Sequence, residues 1–286
     1  MKFCDFIIPH TVEEACGILR QLGEAAQPIA GGTAFHFYTD DRIETAIDLS
    51  RLGLAAITAG DGGFHIGAMT TLAQMSDFKG YGWVLNEVAR HISTQQIRNV
   101  STIGGNISRV FPWSDFAIAL QALGATMHVQ NEAAQDIPAD EFFKSQPARL
   151  FKDGSLLTGV TVPAVRKPSG FGWRKEQRSM KGFGLMSSGV MLELSGDSIA
   201  SIRVAIGAGI PFPRRLPKLE AALKGKPADE KTLGNIVQSH PEEVNWVSKE
   251  GLSEEYIGHL ADVVIFDALM QAVRHAKGEE KPWACW

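Results

Sequence analysis

Two glycine pairs carry the most chemical information in this sequence. They are "IAGGTAF" at residues 29–35 and "NVSTIGGNIS" at residues 99–108. Each pair follows an apolar residue, and each is followed at once by a small polar one, Thr33 or Asn106. Adjacent glycines let a backbone come close to a ligand and expose consecutive N–H groups, and such concave nests bind anions, above all phosphate. Thr33, Ser101 and Thr102 add hydroxyl donors, while Asn106 either closes the second loop or meets the ligand. One such pair reads as a tight turn. Two together suit a ligand with a central pyrophosphate. Shortly after the second pair, "PWSD" at 112–115 opens a helical pattern. Ser114 or Asp115 is its cap, a ligand contact, or both, because a ligand at a helix start meets the same N–H groups.

Other chemistries lack their signatures. The sequence has no G-x-G-x-x-G, and "GAGIPF" at 207–212 fails because Phe212 occupies the third glycine position. It has no Walker loop and no Ser/His/Asp or Cys/His constellation. Its three cysteines, Cys4, Cys16 and Cys285, are dispersed, so no zinc ribbon or iron–sulfur ligand set is written here. His36 reads as a partly buried structural histidine and His91 as a surface one, each with a ligand-facing role as the alternative, and Trp113 and Trp173 read as packing residues. The cationic "RRLPK" at 214–218 reads as a solvated face.

The elements that must position these loops alternate in type. Thr11 with Glu14 forms a capping box ahead of a helix ending at Gly23, and "QPIAGG" is a strand entering the first glycine pair. "TAIDLSRL" is a strand, and "AAITAGDGGFHIGAM" is a hairpin around Asp61-Gly62-Gly63. "GWVLNEVARHI" is a helix leading into the second pair, "PWSDFAIALQALG" is a helix closed by Gly124, and "ATMHVQ" and "SLLTGVTVP" are strands. A stretch rich in proline, glycine and cations follows from Pro163, marking a domain boundary. Beyond it come a hairpin turning at Gly196-Asp197 and three helices, the last long, with acids first and Arg274, His275 and Lys277 last.

Bulk properties bound the class. The 286 residues suffice for two or three subdomains, and 44% hydrophobic with 21% charged is ordinary for a globular protein. A formal charge of −4 gives no electrostatic case for nucleic acid or an anionic membrane. The apolar stretches read as too short to span a bilayer, and the N-terminus does not read as a secretory signal. A reducing, cytoplasmic setting is the expectation.

The residues around the glycine pairs go further. "IAGGT" at 29–33, "AIDLSRL" at 46–52, "FHIGAMTTLAQM" at 64–75, "QIRNVSTIGGNI" at 96–107 and "LLTGVTVP" at 156–163 resemble, in order, the FAD-binding medium subunit of the molybdenum hydroxylases, the xanthine dehydrogenase and carbon monoxide dehydrogenase type. "GIPFPRR" at 209–215 and the final helix resemble the same family's C-terminal domain.

The resemblance implies an α+β chain. Its FAD-binding part would be a two-subdomain fold of the vanillyl-alcohol-oxidase-like (PCMH) type, residues 1–55 and 56–165. A sheet-and-helix domain, residues 166–286, would complete it. It implies noncovalent FAD, with Ile29, Ala30, Gly31, Gly32, Thr33 and Ala34 around the pyrophosphate. Ser101, Thr102, Gly104, Gly105, Asn106 and Ser108 would form a second wall. Ser114 and Asp115 would serve the ribityl hydroxyls or diphosphate, and Leu157 would lie near the adenine. Ile92 and Ser93 would approach the flavin, and Arg174 or Lys175 would supply a cation to it. Ala34 and Gly182 stand where many relatives carry a polar or acidic residue. The implied partners are a large molybdopterin subunit and a small 2Fe-2S subunit, which hold those cofactors. The implied function is electron transfer from the 2Fe-2S centres through FAD to an external acceptor. The alternative is a stand-alone FAD-dependent oxidase or dehydrogenase of the same fold.

Overall fold

The structure is a computed structural model describing residues 3–34, 42–179, 182–239 and 244–279. Three sheets follow one another along the chain. The first is parallel: β1 (Asp5–Ile7), β2 (Ala26–Ile29) and β3 (Thr45–Asp48), in the order β1-β3-β2. Helix α1 (Val12–Leu22) connects β1 to β2 and buries Ala15, Cys16 and Leu19 against Ile47. Thr11 caps it by accepting from the Glu14 N–H, and Gly23 ends it at φ 53°. The reciprocal half of the expected capping box is displaced: the Glu14 carboxylate accepts from the His10 N–H, one residue early.

The second sheet contains β4 (Ile57–Ala59), β5 (Gly63–Gly67), β6 (Thr126–Gln130), β7 (Ala134–Pro138) and β8 (Leu156–Pro163), in the order β4-β5-β8-β6-β7. Five helices lie between its second and third strands in sequence: α2 (Leu72–Asp77), α3 (Leu85–Arg90), α4 (Gln95–Val100), α5 (Ile103–Ser108) and α6 (Asp115–Leu123). Every residue of α6 is buried. A helix apolar on all sides needs cover all round. It gets this mainly from the third sheet, with α3, α5 and strand β8 of the second sheet completing the cover. Edge strand β7 and the short helices α7 (Ala139–Lys144) and α8 (Pro147–Leu150) have no counterpart in the sequence reading. Their polar, proline-broken pattern gives neither a period of two nor one of 3.6.

The third sheet, β9 (Ser169–Gln177), β10 (Gly184–Ser195), β11 (Ser198–Gly207) and β12 (Arg214–Arg215), runs in the order β12-β11-β10-β9. Helices α9 (Pro217–Leu223), α10 (Glu230–Gln238) and α11 (Glu254–Lys277) cover it. By length and composition α11 could cross a membrane, contrary to the sequence reading. Here it lies along β9 and β10 instead. A Cβ on Gly172 would fall 1.8 Å from the Ala268 carbonyl oxygen, so glycine permits this close approach. The Gln271 side chain accepts from the Trp173 N–H at 2.8 Å, and His275 Nδ1 from the Phe171 N–H at 3.1 Å, which covers the free edge of β9.

The "RRLPK" segment is not a plain solvated face. Arg215 is half-buried and pairs with Glu220 and with Asp140 at 2.5 Å, tying the third sheet to α7.

Candidate functional site

The two glycine motifs meet. A Cβ built on Gly31 would sit 1.8 Å from the Val100 carbonyl oxygen, and one on Gly105 would lie 3.8 Å from the Ala30 Cβ. The Thr33 and Ser101 hydroxyls pair across the seam at 3.0 Å. Around this seam lie two adjoining cavities of about 350 and 480 Å³, which share Gln27, Pro28, Ala30, Gly105 and Arg109. Each is of a size that takes a substantial part of a ligand.

The motifs do different work. Gly32 has φ 67°, a conformation that favours glycine, and the loop after β2 turns there. Among the described residues nothing accepts from the N–H groups of Gly31, Gly32 or Thr33. The second pair lies in the first turn of α5, not in a nest. Its N–H groups are already used: Ile103 donates to Thr70, Gly104 to the Ala68 carbonyl at 2.8 Å, and Gly105 to the Thr102 hydroxyl at 3.1 Å. Gly104 is a packing glycine, because a Cβ there would meet the Ala68 oxygen at 2.7 Å. Gly105 instead faces the cavities, with only the Thr102 hydroxyl within 3.4 Å of an added Cβ.

The first cavity is lined by most of the residues singled out in the sequence. Gly31, Gly32, Thr33 and Ala34 come from the first loop, and Ser101, Thr102 and Asn106 from the second. The Asn106 side-chain oxygen is buried and lacks a partner. Ile92 and Ser93 line it from the turn after α3, where Ser93 takes φ 52°. A non-glycine residue there costs about 1–3 kcal/mol and persists only where neighbours fix it. The buried Arg98 does so: its guanidinium donates to the carbonyls of Ser93 at 2.8 Å, Ile92 at 3.1 Å and Arg90 at 3.4 Å. The sequence reading quoted Arg98 within a motif without giving it a task.

Ser114 and Asp115 line the first cavity too, but neither side chain caps α6 in the expected manner. The Ser114 hydroxyl accepts from the Phe111 N–H at 2.8 Å. Asp115 is the first helical residue, and its carboxylate accepts from Lys175 Nζ at 2.7 Å and from the Ser187 hydroxyl at 3.3 Å. Burial pushes the Asp115 carboxyl above its ordinary range, against the pull of the Lys175 ammonium. Of the two cations considered, Lys175 lines the cavity. Arg174 is on the opposite face of β9, half-exposed, paired with Glu176 at 2.9 Å and with Asp267 of α11 at 3.6 Å. Strand alternation imposes this, because Phe171, Trp173 and Lys175 share a face and Gly172 and Arg174 share the other.

Ser108, Gly104 and Leu157 line the second cavity, with Arg109 common to both. Ile29 lines neither; it ends β2, and its carbonyl accepts from the Leu49 N–H. Trp113 is a cavity residue as well as a packing one: its ring stacks on Phe111 at 5.3 Å and leans on Phe183 at 4.8 Å, and all three line the first cavity. Trp173 is buried in the core and His91 lines neither cavity. His36 lies outside the described residues.

Fold and site together define an α+β protein with two adjoining cavities at the seam of its two glycine loops, the first of them reaching the buried Lys175–Asp115 pair. Residues 1–165 match the model of the FAD binding domain in molybdopterin dehydrogenase, and residues 172–272 that of the CO dehydrogenase flavoprotein C-terminal domain. The chain belongs to this molybdopterin dehydrogenase flavoprotein family, and it is an FAD-binding oxidoreductase subunit.

Among its relatives is the carbon monoxide dehydrogenase medium chain of Afipia carboxidovorans. The two are 27% identical, over 96% of this chain and 98% of that one. The nicotine 6-hydroxylase medium subunit of Paenarthrobacter nicotinovorans is 25% identical, over 92% and 95%. The solved carbon monoxide dehydrogenase from Hydrogenophaga pseudoflava superposes with a TM-score of 0.87 at 25% identity, covering 95% of this chain and 97% of that one.

The residues present fit FAD. The unsatisfied N–H groups of the first loop suit a diphosphate, Gly105 leaves room beside them, and the orphaned Asn106 oxygen awaits a donor.

Proposed function

We propose that this chain is the electron-transfer subunit of a multi-subunit molybdenum hydroxylase. It takes electrons from 2Fe-2S centres on a small partner and delivers them to an external acceptor, while a large molybdopterin partner oxidises the substrate. The observation that carries this reading is end-to-end likeness to a medium chain, 96% of this chain against 98% of that one. One feature adds support: the sequence holds three dispersed cysteines, fewer than the four of an all-cysteine 2Fe-2S centre.

In this reading the N–H groups of Gly31, Gly32 and Thr33 hold the diphosphate, with Arg109 at the junction of the cavities, and the Asn106 side-chain oxygen accepts from a hydroxyl of the cofactor. Ala30 and Gly105 let the backbone approach closely. Leu157 and Ser108 lie at the adenine end. Ser114 and Asp115 meet the ribityl hydroxyls, and Ile92, Ser93 and Lys175 border the isoalloxazine. When bound, FAD accepts and releases electrons; the chain orients it, excludes water and sets the local charge.

The test is anaerobic. Purified alone, the yellow chain should be reduced by dithionite and reoxidised by an acceptor, yet should not bleach with aldehyde, heteroaromatic or carbon monoxide substrates. With its co-purified partners one of these should bleach it. Rapid bleaching of the chain alone by a substrate would overturn the relay and establish a stand-alone oxidase.

A further inference from the structure

Behind the Trp113 wall of the first cavity lies Lys249, which no sequence motif marks. It stands at the neck of a tight turn: Lys249 and Leu252 exchange backbone hydrogen bonds across Glu250 (φ 52°) and Gly251 (φ 81°). The strained Glu250 is anchored by Arg178, whose guanidinium meets its carboxylate at 3.0 Å. The turn thereby fixes where the lysine stem starts. Lys249 Nζ donates to the Gly184 carbonyl at 2.6 Å and sits 5.4 Å from the Trp113 ring centroid. Gly184 follows Phe183, which leans on the same indole. One ammonium therefore ties together the turn, the start of β10 and the aromatic wall.

The charge balance is uneven. Lys175 and Asp115 neutralise one another at 2.7 Å. Among the described residues no carboxylate lies within salt-bridge distance of Lys249. Burial holds its ammonium below the ordinary lysine range; the neighbouring Glu250 carboxylate, itself paired with Arg178, opposes this most, and Lys175 and Asp115 act on it in opposite senses. A half-buried cation with no salt-bridged carboxylate keeps more of its field than a fully solvated one.

We propose that Lys249 is a positioning residue for the flavin: it fixes the Trp113 wall and adds an unneutralised positive charge behind it, so that the cavity favours reduced over oxidised flavin. The proposal rests on reading this cavity as the flavin end of the FAD site. Two-electron reduction with uptake of one proton leaves the isoalloxazine with a net negative charge, and a nearby cation stabilises that charge.

The experiment uses the FAD-loaded chain, titrated anaerobically with dithionite against a reference dye. Lys249→Gln should move the flavin midpoint potential to more negative values, and Lys249→Arg should restore it. Apoprotein affinities for oxidised and reduced FAD give the same answer for a variant that holds the cofactor weakly: the reduced form should lose more. Equal losses, or an unmoved potential in Lys249→Gln while Lys175→Gln lowers it, would show that Lys249 is only structural. If neither lysine variant moves the potential although FAD stays bound, the cavity is not the flavin end and the underlying reading fails.

Discussion

Replacing Lys175 by methionine strands a carboxylate. The Lys175 and Asp115 side chains are each 4% exposed and 2.7 Å apart, so water does not screen them. Removing one member of a buried pair costs about 3–5 kcal/mol, because the other charge stays behind uncompensated. The Ser187 hydroxyl and the start of α6 still face Asp115 and offset part of this. The low end, about 3 kcal/mol, is therefore the working figure. At about 2–4 °C per kcal/mol for a chain of this size, the apoprotein should melt roughly 6–12 °C lower near neutral pH.

The sign of the pH dependence follows from Asp115. Its folded pKa lies above its unfolded one because burial dominates, and losing Lys175 raises it further. Such a carboxyl costs the fold nothing below the unfolded pKa of about 3.9. The cost grows as pH rises toward the folded pKa and then levels off. The melting deficit of Lys175→Met should therefore shrink on acidification. Adding Asp115→Asn removes both charges and should recover most of the loss, a coupling read directly from the double-mutant cycle. Calorimetry of the four apoproteins across a pH series is the assay. A single variant that melts within about 1 °C of the parent at every pH would refute the buried pair.

Three further outcomes follow from the cradle. Gly105→Ala should fold and weaken FAD, whereas Gly104→Val should damage the apoprotein itself by forcing a side chain into the Ala68 carbonyl; circular dichroism and FAD titration separate the two. Asn106→Ala should leave apoprotein melting unchanged or slightly raised, since it deletes an orphaned buried oxygen, yet weaken FAD by about tenfold, the worth of one hydrogen bond. Arg98→Met strips donors from three carbonyls and should cost about 2–4 kcal/mol. Hydrogen exchange should then speed up in residues 90–98, and unchanged protection there would contradict the clamp.

Much of this was legible in the sequence. The turn residues Gly196-Asp197 gave the β10–β11 hairpin, a capping box with helical spacing gave α1, a cap and a terminal glycine gave α6, and terminal charges gave α11. Lys175 was legible in principle: "GFGWRKE" alternates small and large, so the lysine shares a face with Phe171 and Trp173, yet Arg174 kept it company as an equal candidate. Three things escaped because they depend on partners distant in sequence. The Gly104 N–H faces Ala68, the Asp115 carboxylate faces a strand sixty residues on, and Lys249 reaches Trp113 from the far end of the chain. Short helices α7 and α8 escaped for a local reason, since neither is long enough to show a period.

The two glycine pairs look alike in sequence and differ in physics. In the first, positive φ at Gly32 turns the backbone and leaves N–H groups of Gly31, Gly32 and Thr33 unspent. In the second, every early N–H of α5 is spent on the protein, so that pair binds no anion through its backbone. Its glycines act by being small: Gly104 lets α5 press onto Ala68, and Gly105 keeps the cavity wall low beside Ala30. The side chains around them then carry the polar work, through the Ser101 hydroxyl paired with Thr33 and the free oxygen of Asn106. In the reading proposed above the diphosphate lies at the first loop, and among the described residues Arg109 is the basic side chain that lines both cavities. Its guanidinium rests 5.5 Å from the Phe111 ring centroid, in the same aromatic stack that continues through Trp113 to Lys249. One row of rings thus spaces two cations along the cleft, one at the junction of the cavities and one behind the wall of the first.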